Sequence, residues 1–278
     1  MNPTPIRSAQ PRTVLMCRPE FFTVSYAINP WMDPSQPSDT ALAVKQWESL
    51  RQTYLDLGIT VRLIDPAPGL PDMVYTANGG FVAGGIAYGA RFAYPQREAE
   101  QDLFLAWFAN NGLQTVTPTF NSEGEGDILL VGNWLLAGYG FRSDPQSHAE
   151  LADVFGRPVL PLRLIDPFFY HLDTALTILD PTPGASGPQI AYLPRAFDQA
   201  SLNLLKTHFP QALKVSAASA HEFGLNAFSD GLHVVTSPGA TDFHLQLRAA
   251  GFEPVLVELS ELRRGGGSIK CCTLELRS

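Results

Sequence analysis

Five segments of the chain follow one plan, and a plan repeated at regular spacing restricts the fold more than any composition does. VYTANGGFVAGGIAYG, GEGDILLVGNWLLAGYG, YHLDTALTILD, EFGLNAFSDGLHVVTSP and GGGSIKCCTLEL each pass from a Gly-rich or polar loop, through one polar residue, into an apolar strand. The equivalent polar positions are Asn78, Asp127, His171, Asn226 and Cys271, 44 to 55 residues apart, a spacing typical of repeat architectures. Gly84-Gly85, Gly132-Asn133 and Ser229-Asp230-Gly231 then separate two apolar runs, which is hairpin chemistry. The third unit has a longer connection, DPTPGASGPQ.

Between the hairpins lie stretches with apolar residues at helical spacing: ALAVKQWESLRQTYLDLG, REAEQDLFLAWFANNG, SHAELADVFG, DQASLNLLKTHFP and DFHLQLRAAG. Each is followed by a β-branched run such as ITVRLIDP or FEPVLVEL. The unit is strand, turn, strand, helix, strand. Five units predict an α/β fold with five-fold pseudosymmetry, a closed propeller whose polar loop ends meet at one rim. The fifth unit lacks its second strand, so the run TVLMC, residues 13–17, is expected to supply it and seal an open edge. Residues 1–12 read as a disordered or extended N-terminus and 13–278 as a single domain.

A hydrophobic content of 45% with 17% charged residues suits a globular chain. The net charge of −8, without clustered Lys and Arg, argues against nucleic acid as a partner. No apolar run approaches membrane-spanning length, and no secretory signal is visible. Three cysteines are too few and too odd for a disulfide framework, so the cytoplasm is expected. Oligomeric state is not set by the sequence, and a homo-oligomer stays open.

Two of the three cysteines are adjacent. If CCTLEL is a strand, Cys271 and Cys272 point to opposite faces; by the repeat register Cys271 faces the shared rim and Cys272 a packing layer. A thiol, a histidine and carboxylates on one rim are the parts of a nucleophile with its proton-transfer partner. Cys17 and Cys272 read as packing residues. Among six histidines, His171 stands out because Asp173 follows two residues later, on the same face if YHLDT is a strand. Glu123, Glu125 and Asp127 lie in a glycine-spaced turn where the backbone can approach a ligand, and any of the three could partner the histidine. HLD and EGEGD offer metal ligands, but no HExxH or CxxC spacing supports a metal, and no phosphate-cradling loop follows a strand.

The segments MVYTANGG, EGEGD, YGFRSD, YHLD and GGGSIKCCT, in this order from Met16 to the end, resemble the guanidino-modifying superfamily of arginine deiminases, dimethylarginine dimethylaminohydrolases and amidinotransferases. The resemblance implies a five-bladed α/β propeller, no cofactor and a small guanidino substrate. It assigns Cys271 as nucleophile, His171 as general acid/base and Glu123 as its acidic partner. Asp173 is then the carboxylate that grips the guanidinium, with Asp127 also at the site, and Arg142 the group that fixes the substrate carboxylate, with Arg91 adding to that grip. Asn78 stands where deiminases and dimethylargininases usually carry Asp. That form, together with Asn29 in AINPWM at the rim, resembles arginine dihydrolases, which release ornithine, ammonia and carbon dioxide. The expected activity is therefore hydrolysis of arginine through a covalent thiouronium. A dimethylargininase or an amidinotransferase is the alternative within the enzymes, and a non-catalytic binding protein on the same fold the alternative outside them, disfavoured by the presence of both His171 and Cys271.

Overall fold

A computed structural model describes residues 7–182 and 188–278. Within them the repeated plan becomes five three-stranded sheets, each with its second strand in the middle. The middle strands Ile86–Gly89, Trp134–Tyr139, Gln189–Tyr192 and His233–Thr236 pair antiparallel with Gly80–Ala83, Ile128–Val131, Leu176–Asp180 and Phe228–Ser229. On their other edge they pair parallel with Gln114–Val116, Val159–Arg163, Leu213–Lys214 and Glu253–Leu256. A parallel neighbour needs a crossover, and the helix of each unit supplies it. The expected helical stretches form Thr40–Asp56, Glu100–Asn110, Ser147–Phe155, Gln199–His208 and Thr241–Ala249. Asp39 and Asp198 cap two of them by accepting from Leu42 N and Ser201 N.

The fifth sheet is assembled from both ends of the chain. Thr13–Cys17 lies between Leu274–Glu275, antiparallel, and Thr60–Ile64, parallel, and Leu276 N donates to Thr13 O at 2.8 Å. Both faces of this strand are buried: Val14 and Met16 pack with Ala43, Trp47, Leu50 and Tyr54 of helix Thr40–Asp56, residues spaced to lie on one helical face, while Leu15 and Cys17 join a second cluster with Phe104 and Phe108. First strands of successive units pack on one another: Leu274–Glu275 against Gly80–Ala83, Ile128–Val131 against Leu176–Asp180, and the latter against Phe228–Ser229. Residues 7–12 run along the body, with Arg7 Nε donating to Ala250 O and Gln10 N to Asp230 O. The rest of the expected disordered N-terminus, and residues 183–187 of the long third connection, lie outside the described residues. Among the described residues no helix is long and apolar enough to cross a membrane.

One expectation about local structure is overturned. CCTLEL is not a strand from its first residue: only Leu274–Glu275 is, and both cysteines sit in a turn closed by Cys272 N to Ser268 O at 3.1 Å and Thr273 N to Lys270 O at 2.9 Å. The reason is long-range, since Asn226 Oδ1 accepts the amides of Ser268 and Cys271 and removes them from any ladder. His171 and Asp173 likewise do not share a strand face; His171 precedes the single helical turn Leu172–Ala175, which contains Asp173. Asn78 and Asp127 also belong to short turns, Thr76–Gly79 and the residue after Gly124–Gly126, directly ahead of their strands.

The sealing strand should carry measurable stability. Leu15→Ala removes a fully buried side chain and is expected to cost about 3 kcal/mol in urea denaturation. Leu63→Ala, at a residue 47% exposed on the outer strand, is expected to cost less than about 1 kcal/mol.

Candidate active site

The turns that precede the first strands bring the polar positions together. Cys271 Sγ lies 3.2 Å from Asp173 Oδ2 and accepts from Asn226 Nδ2 at 3.1 Å. Asn226 Nδ2 also reaches Asp173 O, so one amide side chain organises both turns, using its oxygen for two backbone amides and its nitrogen for the thiol and a carbonyl. The Gly-rich approach is required by packing: a Cβ on Gly267 would meet the Tyr75 ring at 2.5 Å and the Cys271 Cβ at 3.0 Å. Cys272 packs in the apolar core instead, as expected of it.

His171 is held from the second unit. Its Nε2 shares a 2.8 Å hydrogen bond with Glu123 Oε2, and the same oxygen accepts from Arg142 Nη1 at 3.0 Å. Glu123 Oε1 accepts from Ala93 N. Of the three acids in the glycine-spaced turn, Glu123 is therefore the one that meets the imidazole. Asp127, expected at the substrate, spends both oxygens on the scaffold: Oδ2 accepts from Ser143 Oγ at 2.6 Å and Oδ1 from Leu172 N at 3.1 Å, fixing the turn next to His171. Gly126 keeps this turn close, since a Cβ there would collide with Asn78 Nδ2 and come within 3.2 Å of His171 Nδ1. The Tyr170 ring stacks at 4.7 Å on His171, and its hydroxyl donates to Gly266 O, tying the histidine segment to the cysteine segment a second time.

The remaining expected residues divide. Asn78 is buried, with Oδ1 accepting from Arg97 Nη1 at 2.7 Å. Arg142 is buried between the Tyr94 and Tyr170 rings and donates to Glu123 and to Ile28 O, so in this arrangement its bonds hold the Glu123 carboxylate and the Ile28 backbone. Asn29 is half-buried and donates to Gly265 O at 3.0 Å, which places its loop against the Gly-rich approach to Cys271. Arg91 is a correction: it is exposed, pairs with Ser122 only through its backbone, and stands outside the buried cluster. The arginine that enters the cluster is Arg97, which the sequence reading missed. It sits 3% exposed, forks onto Glu100 at 2.9 and 2.8 Å and donates to Asp72 O. A basic residue three positions before Glu100 at a helix start was its only signal in the sequence. Asp72 and the tyrosines 75 and 170 were missed as well, and Asn226, placed at the rim by the repeat register, was given no role.

Burial dominates the electrostatics. It raises the Asp173 carboxyl to about 7, against the opposing pull of Lys270, and the Asp127 carboxyl to about 6, against His171. Burial also opposes the Glu123 charge, but Arg142 and His171 together outweigh it and hold that carboxyl well below the usual range. The Cys271 thiol is pushed well up by burial and then by Asp173, so it is a thiol at neutral pH. His171 Nδ1 and Asp173 Oδ1 are buried without protein partners, polar atoms left for a ligand or a proton to use. A cavity of about 930 Å³ lies elsewhere: it is lined by hairpin turns and strand ends such as Gly132, Asn133, Pro181 and Ser229, at the other end of the strands from the polar turns. A cavity of about 470 Å³ that includes Ala93, Arg142 and Ser143 adjoins the Glu123–Arg142 pair.

This reading of the thiol has a direct consequence. Asp173→Asn removes the charge that favours the protonated sulfur, so alkylation of Cys271 by iodoacetamide at pH 8, followed by mass spectrometry, is expected to accelerate about tenfold. An unchanged rate would mean that Asp173 does not act on the sulfur.

No protein-family model matches the chain. Individual relatives do. An N(G),N(G)-dimethylarginine dimethylaminohydrolase of Mycobacterium tuberculosis is 54% identical over 270 residues, which is 97% of this chain and 87% of the relative. The bifunctional arginine dihydrolase/ornithine cyclodeaminase ArgZ of Synechocystis is 38% identical over 95% of this chain, which spans only 37% of that longer protein. The crystal structure of the N-terminal domain of ArgZ, a cysteine-to-serine variant bound to substrate, superposes with a TM-score of 0.90 at 36% identity, covering 96% of this chain and 98% of that domain. By this similarity across nearly its whole length, and with a buried cysteine, histidine and carboxylates brought together as described, the chain belongs to the guanidino-modifying superfamily of dimethylarginine dimethylaminohydrolases and arginine dihydrolases.

Proposed function

We propose that the protein hydrolyses the guanidino group of free arginine through a covalent intermediate on Cys271, and does so twice, giving ornithine, two molecules of ammonia and carbon dioxide. In this reading the five sheets close into one five-bladed propeller, residues 13–278 act as a single catalytic domain, and the enzyme works in the cytoplasm on a small guanidino molecule.

The chemistry starts from charge. A guanidinium carbon is a poor electrophile because three nitrogens share the positive charge, and a protonated thiol is a poor nucleophile. Binding mends both defects. The guanidinium takes the Asp173 carboxylate in place of the thiol, and its own positive charge then favours the thiolate, whose proton passes to His171. The sulfur attacks the guanidino carbon, His171 returns a proton to the departing ammonia, and an S-thiouronium remains. His171, held by Glu123, next takes a proton from water as it attacks the same carbon; the C–S bond breaks and citrulline is formed. Nδ1, the imidazole nitrogen without a partner, is the one assigned to these transfers, since Nε2 is engaged by Glu123.

The observation that carries the double hydrolysis is the amide of Asn78. Its oxygen is taken by Arg97 and one N–H reaches Glu123 O at a long 3.5 Å, so the group it can offer a substrate is the remaining N–H donor. A donor is mismatched to a guanidinium but complements a ureido oxygen or the oxyanion formed by attack on it. Citrulline is thereby retained for a second round: thiolate attacks the ureido carbon, ammonia leaves with a proton from His171, water attacks the resulting S-thiocarbamate and the C–S bond breaks, and the carbamate so formed loses carbon dioxide to leave ornithine. In ArgZ, an asparagine-to-serine variant has been seen covalently bound to a reaction intermediate. The second reading, a dimethylarginine dimethylaminohydrolase, is favoured by the 54% identical relative that bears that name.

Product analysis with arginine, dimethylarginine and citrulline, each alone, separates the readings. Double hydrolysis requires ornithine from arginine and from citrulline; citrulline as the sole end product would reject it, and faster turnover of dimethylarginine than of arginine would support the second reading. Asn78→Asp is expected to lower ornithine formation at least about tenfold while citrulline still forms, because one lost donor to an oxyanion is worth that much or more. For arginine, kcat/KM is expected to fall with decreasing pH below about 7, where Asp173 takes up a proton and no longer neutralises the guanidinium. Neutral citrulline should show a weaker dependence over the same range.

A further inference from the structure

The acids of the glycine-spaced turn alternate in what they hold. Glu123 binds the His171 imidazole, Asp127 binds the backbone of the next residue, and Glu125, between them, points to the cysteine side. Glu125 Oε2 accepts from Lys270 Nζ at 2.6 Å and from Glu275 N at 2.9 Å, and its Oε1 pairs with Arg277. Lys270 directly precedes Cys271, is 5% exposed, and also donates to Thr273 O at 2.8 Å, across the two cysteines. One short turn is thus bonded to the histidine limb and the cysteine limb of the site at once.

We propose that Lys270 and Glu125 are a positioning pair for the reaction: they lock the Cys271 turn to the turn that holds His171, and they fix a cation on the residue beside Cys271, whose sulfur contacts Asp173. This rests on the guanidino-hydrolase reading above and extends it to residues that touch no substrate. A cation is an unexpected choice beside a site for a cationic substrate. It fits here because Asp173 must stay ionised although it is fully buried, and because Glu125 would otherwise be buried with less compensation. The groups acting on Asp173 are Lys270, the Cys271 thiol, the Asn226 amide and Glu125, and among them Lys270 exerts the largest influence against burial. Glu125 acts in the opposite sense, so its engagement by Lys270 and Arg277 also limits its repulsion of Asp173.

The test uses the full chain and the variants Lys270→Met and Lys270→Arg. The Asp173 carboxyl is followed by carbon-13 NMR of aspartate-labelled protein, its signal assigned by its loss in Asp173→Asn, and kcat/KM for arginine is measured across pH. Lys270→Met is expected to move the Asp173 titration upward by about one pH unit and to lower kcat/KM at pH 7 about tenfold. Lys270→Arg, which keeps the charge, is expected to restore the titration and most of the activity; a purely space-filling role would not separate the two. Should Lys270→Met not fold, Lys270→Gln is measured in its place, with the same upward titration expected. An Asp173 titration at the wild-type pH in either folded variant, or wild-type kcat/KM in Lys270→Met, overturns the proposal. A wild-type protein that turns over no guanidino compound would overturn the functional reading, while the Asp173 titration would still decide the positioning pair.

Discussion

The contact between Cys271 Sγ and Asp173 Oδ2 joins two turns 98 residues apart, and most of what this molecule can do follows from it. It exists because the chain repeats one unit, and each unit brings a polar residue into the loop one to five positions ahead of its first strand. The contact is maintained by groups that take no chemical part. Asn226 bonds both turns, and Tyr170 bonds the Gly-rich segment. Without those constraints the thiol would be an ordinary buried cysteine, as Cys272 is one residue later.

Burying this many charges is unfavourable unless each is matched. Glu123 is matched by Arg142 and His171, Glu125 by Lys270 and Arg277, and Glu100 by Arg97. Asp173, like Asp72, has no ion-pair partner among the described residues. It shares one oxygen with a thiol and leaves the other without a partner, and burial raises it to about 7. An under-compensated carboxylate beside a protonated thiol is poorly arranged for stability and well arranged to receive a cation. That cation would complete the charge balance and activate the sulfur in one event, so substrate binding and nucleophile activation become the same step.

Much of this could be read from the residues. Apolar period, turn glycines and β-branched runs located the five crossover helices and most strands of the sheets, and the missing strand of the last unit pointed to residues 13–17, because an open edge favours pairing. What could not be read depends on partners distant in sequence. CCTLEL alternates like a strand, yet its first residues form a turn because Asn226, 45 positions away, accepts the Cys271 amide, and Cys272 N donates back to Ser268 O. His171 and Asp173 were assigned to one strand face for the same lack of knowledge. Arg91 and Arg97 are both arginines in a loop after a hairpin; only the fold decides that Arg97 reaches Glu100 and Asn78 while Arg91 faces solvent. The three acids of EGEGD were indistinguishable as letters and have three separate partners in space.

The most direct measurement is an acid quench during turnover of arginine labelled with carbon-13 in the guanidino group, followed by fragment-ion mass spectrometry of the C-terminal peptide. The account requires the labelled carbon on Cys271, with its adjacent neighbour Cys272 and the distant Cys17 unmodified. Label on either of those two, or turnover with no label on any cysteine in wild type and in a slowed His171→Ala variant alike, would contradict it.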